Sequence, residues 1–383
     1  MGGGAGGRGE GEMTDWAQAR LEFPSLEKWT YLNTATFGQH PLRAERAMIS
    51  HLTHRTEEAC YDFLSWFDDH DRLRGDIARL VNCQVEDVAY FSNSCSALGL
   101  LLNGVEFEAG GEIVTLEGEF PNQVYAPHAR GTVLREVAAD GLIDALSSKT
   151  RLVVVSTVNY ITGYRVALEP LAAECRRRGI LLYVDATQSA GALRIDFEKL
   201  QPSMLAVNAY KWMCCPSGIA FAAIHPELRA RMRPLTVGWR SHHGWRNVEN
   251  LHHGPPEFTG NADMYEGGML ASPLLYALEA CVGMFLELGA AEIEGRVLGL
   301  AGRLRGQMRE LGLTPLPYED SAIVAAPMAD ASGAAAALKA RRILVSARHG
   351  LLRVSTHFYN NEADLDRLVA VLGEFGASAA RSG

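Results

Sequence analysis

Short apolar runs rich in β-branched residues recur along the first 225 positions: "VAYFS" (88–92), "EIVTL" (112–116), "RLVVVS" (151–156), "ILLYVD" (180–185), "MLAVNA" (204–209) and "IAFAAI" (219–224). Runs so short and continuous predict strands buried on both faces. Helix-like segments separate several of them. The clearest is "LEPLAAECRRRG" (168–179), which ends on glycine after three arginines that suit the terminal carbonyls and the helix dipole. Longer helical patterns are expected from about 42 to 81 and from about 270 to 312. Strands alternating with helices predict an α/β fold: a large domain with a mostly parallel sheet covered by helices, plus a small C-terminal α/β domain.

Periodicity disappears between 225 and 268, where glycine, proline, histidine and tryptophan accumulate. The stretch "VGWRSHHGWRNVENLHHGPPEFTGNADMYEGG" is too long for a simple connector, and long structureless loops tend to be functional. The expected organisation is a flexible tail (1–14), an N-terminal arm (15–41), a large domain (42–268), and a connecting helix with a small C-terminal domain (269–383). Gly2, Gly4 and Gly7 formally satisfy G-x-G-x-x-G. No strand precedes them and no helical pattern follows closely, so they are not read as a dinucleotide fingerprint.

Composition narrows the class. A net charge of −9 without a basic, aromatic-interleaved stripe argues against nucleic acid as a partner. No apolar run is long enough to span a bilayer, and no signal-peptide pattern opens the chain. Seven cysteines, two of them adjacent and none in C-x-x-C spacing, suggest neither a disulfide framework nor a metal site. The expectation is a cytoplasmic, reduced protein.

In open parallel sheets, ligands bind beyond the carboxyl ends of the strands. The polar residues there are Ser94–Ser96, Glu119–Asn122, Asn159, Asp185–Gln188 and Lys211. Lys211 is the most unusual, lying in "NAYKWMCCPSG" among apolar and small neighbours. Alone it reads as a strand-end lysine reaching for water, and Asp185 alone reads as a helix cap. Together they suit pyridoxal 5′-phosphate (PLP), which needs a lysine for its Schiff base and an anion beside its pyridinium nitrogen.

These residues resemble the class V aminotransferase family of PLP fold type I, which includes cysteine desulfurases, isopenicillin N epimerase-like proteins, kynureninases and cysteine C–S lyases. The resemblance runs from "YLNTATFG" to "RVSTHFYNNEADLDRLV" (353–369). It is most specific in "VDATQSAGALRIDFEKLQPSMLAVNAYKWMCCPSGIAFAAI". It implies that Lys211 is the Schiff-base lysine and catalytic base and that Asp185 is the pyridinium partner. Gln188 and Asn159 would then lie near the cofactor's phenolic oxygen. It also implies a phosphate site at "SNSCSALG", from Ser94, Cys95 and Ser96, with Asn208 and Tyr210 beside it and Phe120 stacked on the ring. Arg353 would bind the substrate α-carboxylate, with Asn33 and Ala35 closing that side. Gly268, in "YEGG", would reach the phosphate of a partner subunit in a homodimer, although Met269 replaces a hydroxyl-bearing residue there.

The reaction is a further question. Desulfurases carry a mobile cysteine upstream of the carboxylate arginine, where "ARRILVSARHGLLR" has none. Epimerisation needs a second base, for which Tyr265 or a histidine of the 238–254 loop are the candidates. β-Elimination needs only Lys211 and room for a leaving group. The expectation is therefore a C–S β-lyase acting on a cysteine S-conjugate. Epimerase, transaminase and decarboxylation-coupled oxidative deaminase activities are the alternatives. A nicotinamide-dependent dehydrogenase lacks its fingerprint here. A non-catalytic regulator on the same fold would leave Lys211, Asp185 and Arg353 together without purpose.

Overall fold

A computed structural model describes residues 14–382, with side chains to 375, so the expected tail lies outside the described residues except for Thr14. The arm begins with helix α1 (Trp16–Arg20), capped by Asp15, and a two-residue strand β1 (Thr30–Tyr31). Helices α2 (Leu42–Glu57) and α3 (Phe63–Val81) follow. The pattern predicts one helix over 42–81, but Ala59 and Cys60 are left-handed (φ 55° and 60°) and break it. His54 bonds Asp62 across the break at 2.9 Å. Apolar spacing continues on both sides, so periodicity alone does not register the turn. On α3 the buried stripe Phe67, His70, Arg74, Ile77, Val81 keeps the i, i+3/i+4 rhythm of a core-facing helix.

The main sheet contains β2 (Val88–Phe91), β3 (Glu112–Leu116), β4 (Val133–Val137), β5 (Thr150–Ser156), β6 (Leu181–Asp185), β7 (Met204–Asn208) and β8 (Ala220–Ile224). Their order is β2-β8-β7-β6-β5-β3-β4. Only β8 runs against its neighbours. Along β5, Val153 and Val155 enter one core cluster while Leu152 and Val154 enter another, so both sheet faces are covered. Each such side chain contributes roughly 1.5–3 kcal/mol on full burial. The edge strand β4 is unexpected: "VLREV" is half exposed and has no continuous apolar run.

Helices α4 (Ser94–Gly104), α5 (Pro121–Arg130) and α6 (Leu168–Arg178) cover the sheet, with short turns α7 (Phe197–Leu200) and α8 (Pro226–Arg229). As expected, α6 ends on left-handed Gly179. The second long helical stretch divides into α9 (Ser272–Leu288) and α10 (Ala290–Glu310), bent by 82° at Gly289. Among the described residues no single helix is long and apolar enough to cross a membrane.

The chain finishes with β9 (Ile323–Pro327), α11 (Ala331–Ala340), β10 (Ile343–Leu344), β11 (Ser346–Arg348), β12 (Leu351–Ser355) and α12 (Glu362–Ser382). Strands β11-β12-β9 form an antiparallel sheet, and β10 pairs in parallel with β1 of the arm. A bridge from Asn33 to Ser355 extends the stitching. The arm is thereby fixed by backbone hydrogen bonds to the C-terminal segment, and Gly38 bonds the Tyr210 carbonyl just beyond β7.

Candidate active site

Lys211 sits in a turn two residues beyond the buried Ala209, clamped from several directions. The Gly38 N–H donates to the Tyr210 carbonyl at 2.8 Å. A Cβ on Gly38 would stand 1.9 Å from the Lys211 carbonyl oxygen, so only glycine allows the arm to close here. Gly191, at φ 93°, is also pressed against the chain, and a Cβ there would stand 2.4 Å from the Trp212 carbonyl oxygen. Trp212 Nε1 donates to Gln188 Oε1 at 2.9 Å. His357 Nδ1 accepts the Phe358 N–H, leaving Nε2 to donate to the Trp212 carbonyl at 2.8 Å. Burial pushes His357 down to about 3, so the ring acts as a neutral strut.

The lysine is 7% exposed, and no hydrogen-bond partner for its Nζ is found among the described residues. Burial lowers its pKa to about 8, against the attraction of Asp185, while Arg353 and Arg348 push it the same way as burial. Nζ lies 5.3 Å from the Phe120 ring centre.

Asp185, at the end of β6, is buried and fully engaged. Oδ2 accepts from Ser94 Oγ and Gln123 Nε2, both at 3.0 Å, and Oδ1 accepts the Thr187 N–H at 2.9 Å. Ser94 is locked in turn by Asn208, whose Oδ1 accepts the Ser94 N–H and whose Nδ2 donates to Ser94 Oγ. Nearby, Glu119 accepts the Ser156 and Phe120 N–H groups and the Ser156 hydroxyl. Burial raises the Glu119 pKa against these donors, and the charge of Asp185 adds to the rise.

Around Lys211 and Asp185 lies a cleft of about 500 Å³. Of the residues singled out in the sequence, Cys95, Ser96, Phe120, Asp185, Gln188, Asn208, Tyr210 and Lys211 line it. Asn122 and Thr187, inside the strand-end segments named from the sequence, line it too, and Tyr160 lines it without having been foreseen. The Tyr160 ring stands edge-on to Phe120 at 5.2 Å. Ser94 lies behind the wall, bonded to Asp185 and Asn208.

Asn159 also differs, because its side chain is consumed by its own turn. Oδ1 accepts from Ile161, Thr162 and the Thr162 hydroxyl, and Nδ2 donates to the Gly118 carbonyl. Gln188 lines the cleft but has Nε2 committed to the Ala35 carbonyl.

Arg353 is 1% exposed and joins the arm to the cleft. It donates to the Tyr160 carbonyl at 2.5 Å, Thr36 Oγ1 at 2.6 Å and Ser346 Oγ at 3.0 Å, with Asn33 Oδ1 at 3.5 Å. Ala35 donates its N–H to Ser355 Oγ. Burial brings the guanidinium down to about 10, assisted by the charge of Arg348. No carboxylate faces it among its hydrogen-bond partners.

Gly268 lies outside this cleft. It belongs to the 238–268 loop, whose anchor is the buried Glu266, gripped by Arg74 at 2.7 and 2.8 Å and by Arg240 at 3.0 Å. Tyr265 is no free base: its hydroxyl donates to the Met232 carbonyl at 2.9 Å and burial raises its pKa. His242 stacks between His243 and His252 in that loop, and none of the three lines the cleft. No group of three or more metal-ligating side chains occurs among the described residues.

The cleft fits PLP in its donor set. A buried carboxylate suits a protonated ring nitrogen, a lysine without a hydrogen-bond partner suits covalent attachment, and an aromatic face suits the ring. At the start of α4, Cys95 and Ser96 line the cleft, and a phosphate there would take over the Ser96 N–H and hydroxyl that the Asn93 side chain now caps at 2.9 and 3.1 Å. Lys211, Asp185, Phe120, Ser96 and Cys95 would hold the group.

Comparison with known proteins agrees. The family model for class V aminotransferases matches residues 50–368. The chain is 28% identical to an isopenicillin N epimerase of Amycolatopsis lactamdurans, over 94% of this chain and 98% of that protein. It is 24% identical to an uncharacterised aminotransferase of Bacillus subtilis, over 91% and 95%. Among solved structures it resembles the cystine C–S lyase C-DES in complex with cysteine persulfide (TM-score 0.83, 24% identity, 92% of this chain and 99% of that one). The cysteine desulfurase CsdA of Escherichia coli is similarly alike in fold (TM-score 0.83, 18% identity, 95% and 98%). With its fold and cleft so arranged, the chain belongs to the class V aminotransferase family and is a PLP-dependent enzyme of fold type I.

Proposed function

We propose that the enzyme is a C–S β-lyase acting on an amino acid of the cysteine S-conjugate class. The observation that carries this is the position of Lys211: a buried amine, lowered to about 8, beside an apolar Phe120 face. An amine of that pKa is partly unprotonated near neutrality and suits abstraction of the Cα proton. Held by Lys211, Asp185 and Phe120, PLP would supply an electrophile for the substrate amine and a sink for the electron pair at Cα. In this reading Asp185 keeps the ring nitrogen protonated, and Ser94, Gln123 and Thr187 hold its carboxylate in place. Arg353 holds the α-carboxylate through its planar fork. The C–S bonding pair leaves with sulfur, which takes a proton to become a free thiol. The remaining fragment hydrolyses to pyruvate and ammonium.

Epimerisation is the second reading, favoured by the likeness to isopenicillin N epimerase. Tyr160 would be its second proton carrier, on the Phe120 side of the cleft. The functional unit in both readings is a homodimer. Its support is the apolar exposure around the 238–268 loop, where Val237, Phe258 and Met269 face outward.

The test is product analysis by mass spectrometry after incubation in heavy water with S-substituted cysteines, using Lys211→Ala as control. Pyruvate with a free thiol, absent in the variant, supports the lyase. Deuterium at Cα without cleavage moves the assignment to epimerisation. Carbon dioxide with an aldehyde would mean decarboxylation-coupled oxidation and end the lyase reading.

A further inference from the structure

The hairpin from β11 to β12 turns on His349 and Gly350, both left-handed (φ 48° and 75°), the signature of a tight two-residue loop. Arg348 and Leu351 form its closing pair, and Ser346 faces Arg353. Because Ser346 Oγ accepts from Arg353 Nε at 3.0 Å, those two side chains lie on one face of the hairpin. Side chains alternate along a strand, so Arg348 returns to that face two residues later, diagonal to Arg353 at about 7–8 Å. This is the face from which Arg353 reaches the Tyr160 carbonyl at the cleft wall.

Arg348 is half buried, and its one hydrogen bond is to its neighbour's carbonyl, Ala347, at 3.0 Å. No salt bridge to it exists among the described residues, whereas the buried Arg74 and Arg240 and the half-buried Arg229 each have a carboxylate. Its charge acts on both Lys211 and Arg353, lowering the pKa of each. Lys211 lines the cleft, and behind the Tyr160 wall Arg353 and Arg348 share one face of the hairpin. A substrate α-carboxylate compensates Arg353 and leaves Arg348 unmatched.

We propose that Arg348 is a specificity-determining residue that receives a second acidic group, so that the substrates are amino acids whose S-substituent ends in a carboxylate. The assignment rests on the reading above, in which an amino acid is held through Arg353. The tight hairpin fixes the guanidinium at the strand end, so the distance between the two carboxylates becomes the selected quantity.

The experiment compares S-(2-carboxyethyl)cysteine with S-propylcysteine on the PLP-loaded enzyme. Binding is followed by the change in visible absorption, which reads occupancy whether or not the C–S bond breaks. The native enzyme should bind the dicarboxylate about ten- to a hundred-fold more tightly. Arg348→Met should reduce that preference to about threefold or less, with Arg348→Lys retaining part of it. A native enzyme without preference overturns the proposal. So does an Arg348→Met variant that weakens both ligands equally, since Arg348 would then be serving the α-carboxylate. If Arg348→Met fails to fold, Arg348→Lys and Arg348→Gln carry the same comparison. The preference without thiol release sinks the lyase reading and leaves Arg348 assigned; thiol release without preference does the reverse.

Discussion

Two sets of buried cations in this molecule are treated in opposite ways. Around Glu266, Arg74 and Arg240 grip a carboxylate with no exposure of its own, the Tyr90 N–H adds a fourth bond, and the rings of Phe67 and Trp245 flank Arg240. At the cleft, Lys211 and Arg353 are buried with no such anion in contact. The pKa directions record the difference. Burial opposes the charge of Arg74, but Glu266 overcomes it and the pKa rises. Burial dominates at Lys211 and Arg353, which fall to about 8 and about 10. The first cluster is complete and serves the fold. The second is incomplete until a ligand brings negative charge, and that makes it a site.

Removing the lysine is the severest way to break the comparison. Lys211→Ala should lower turnover by more than about a thousandfold, because the base and the point of covalent attachment disappear together. Its melting temperature should change little or rise, since a desolvated amine is lost. Steady-state kinetics and calorimetry on one preparation check both. Glu266→Gln should do the opposite. Two buried guanidinium groups lose their anion, which costs about 3–5 kcal/mol in urea unfolding. An unfolding midpoint close to native would show that the cluster is not what holds the loop.

Titration sharpens the contrast. In PLP-stripped protein, Lys211 has a folded pKa of about 8 and an ordinary value of 10.5 when unfolded. Between those values the unfolded chain holds the proton and the folded chain has released it, so stability rises with pH across that window. Below about pH 8 the penalty is fully present. The amplitude should be on the order of 3 kcal/mol, and Lys211→Met should lack it. Unfolding midpoints for both proteins between pH 7.5 and 10 decide the matter. Parallel curves would mean that the ammonium is hydrated in the fold.

Much of the cleft was legible because its parts stand at strand ends, where sequence position nearly determines spatial position. Lys211 and Asp185 could be placed together as strand-end residues, and Phe120 joined them through the family resemblance. Gln123 and Glu119 could not be given their roles: each acts through a hydrogen bond set by packing, with nothing unusual in its local pattern. Asn159 shows the converse, since a side chain that looked available is spent on its own turn. Arg348 needed the hairpin register, because "SARHGLLR" does not reveal which arginines share a face. In the fold, the buried strands were clear from their apolar runs, while β4 was hidden by half exposure. The breaks at Ala59–Cys60 and Gly289 were hidden because apolar spacing persists through them.

The finest test concerns Arg353, whose fork already holds Tyr160, Thr36 and Ser346 before any substrate arrives. Lysine keeps the charge but offers no planar pair of donors. Arg353→Lys should therefore raise KM by about ten- to a hundred-fold, corresponding to about 1.5–3 kcal/mol of charge-assisted bonding, with a smaller change in kcat. The arm should loosen as well, because Thr36 keeps its bond to Asn33 but loses the guanidinium donor, and faster amide exchange at residues 33–38 would report that. The comparison with Arg240→Lys is the informative part. There the same exchange leaves KM alone and lowers the unfolding midpoint, because Arg240 meets Glu266 and no substrate. If both variants behaved alike, burial rather than the missing anion would govern these cations, and the distinction between the two sets would fail.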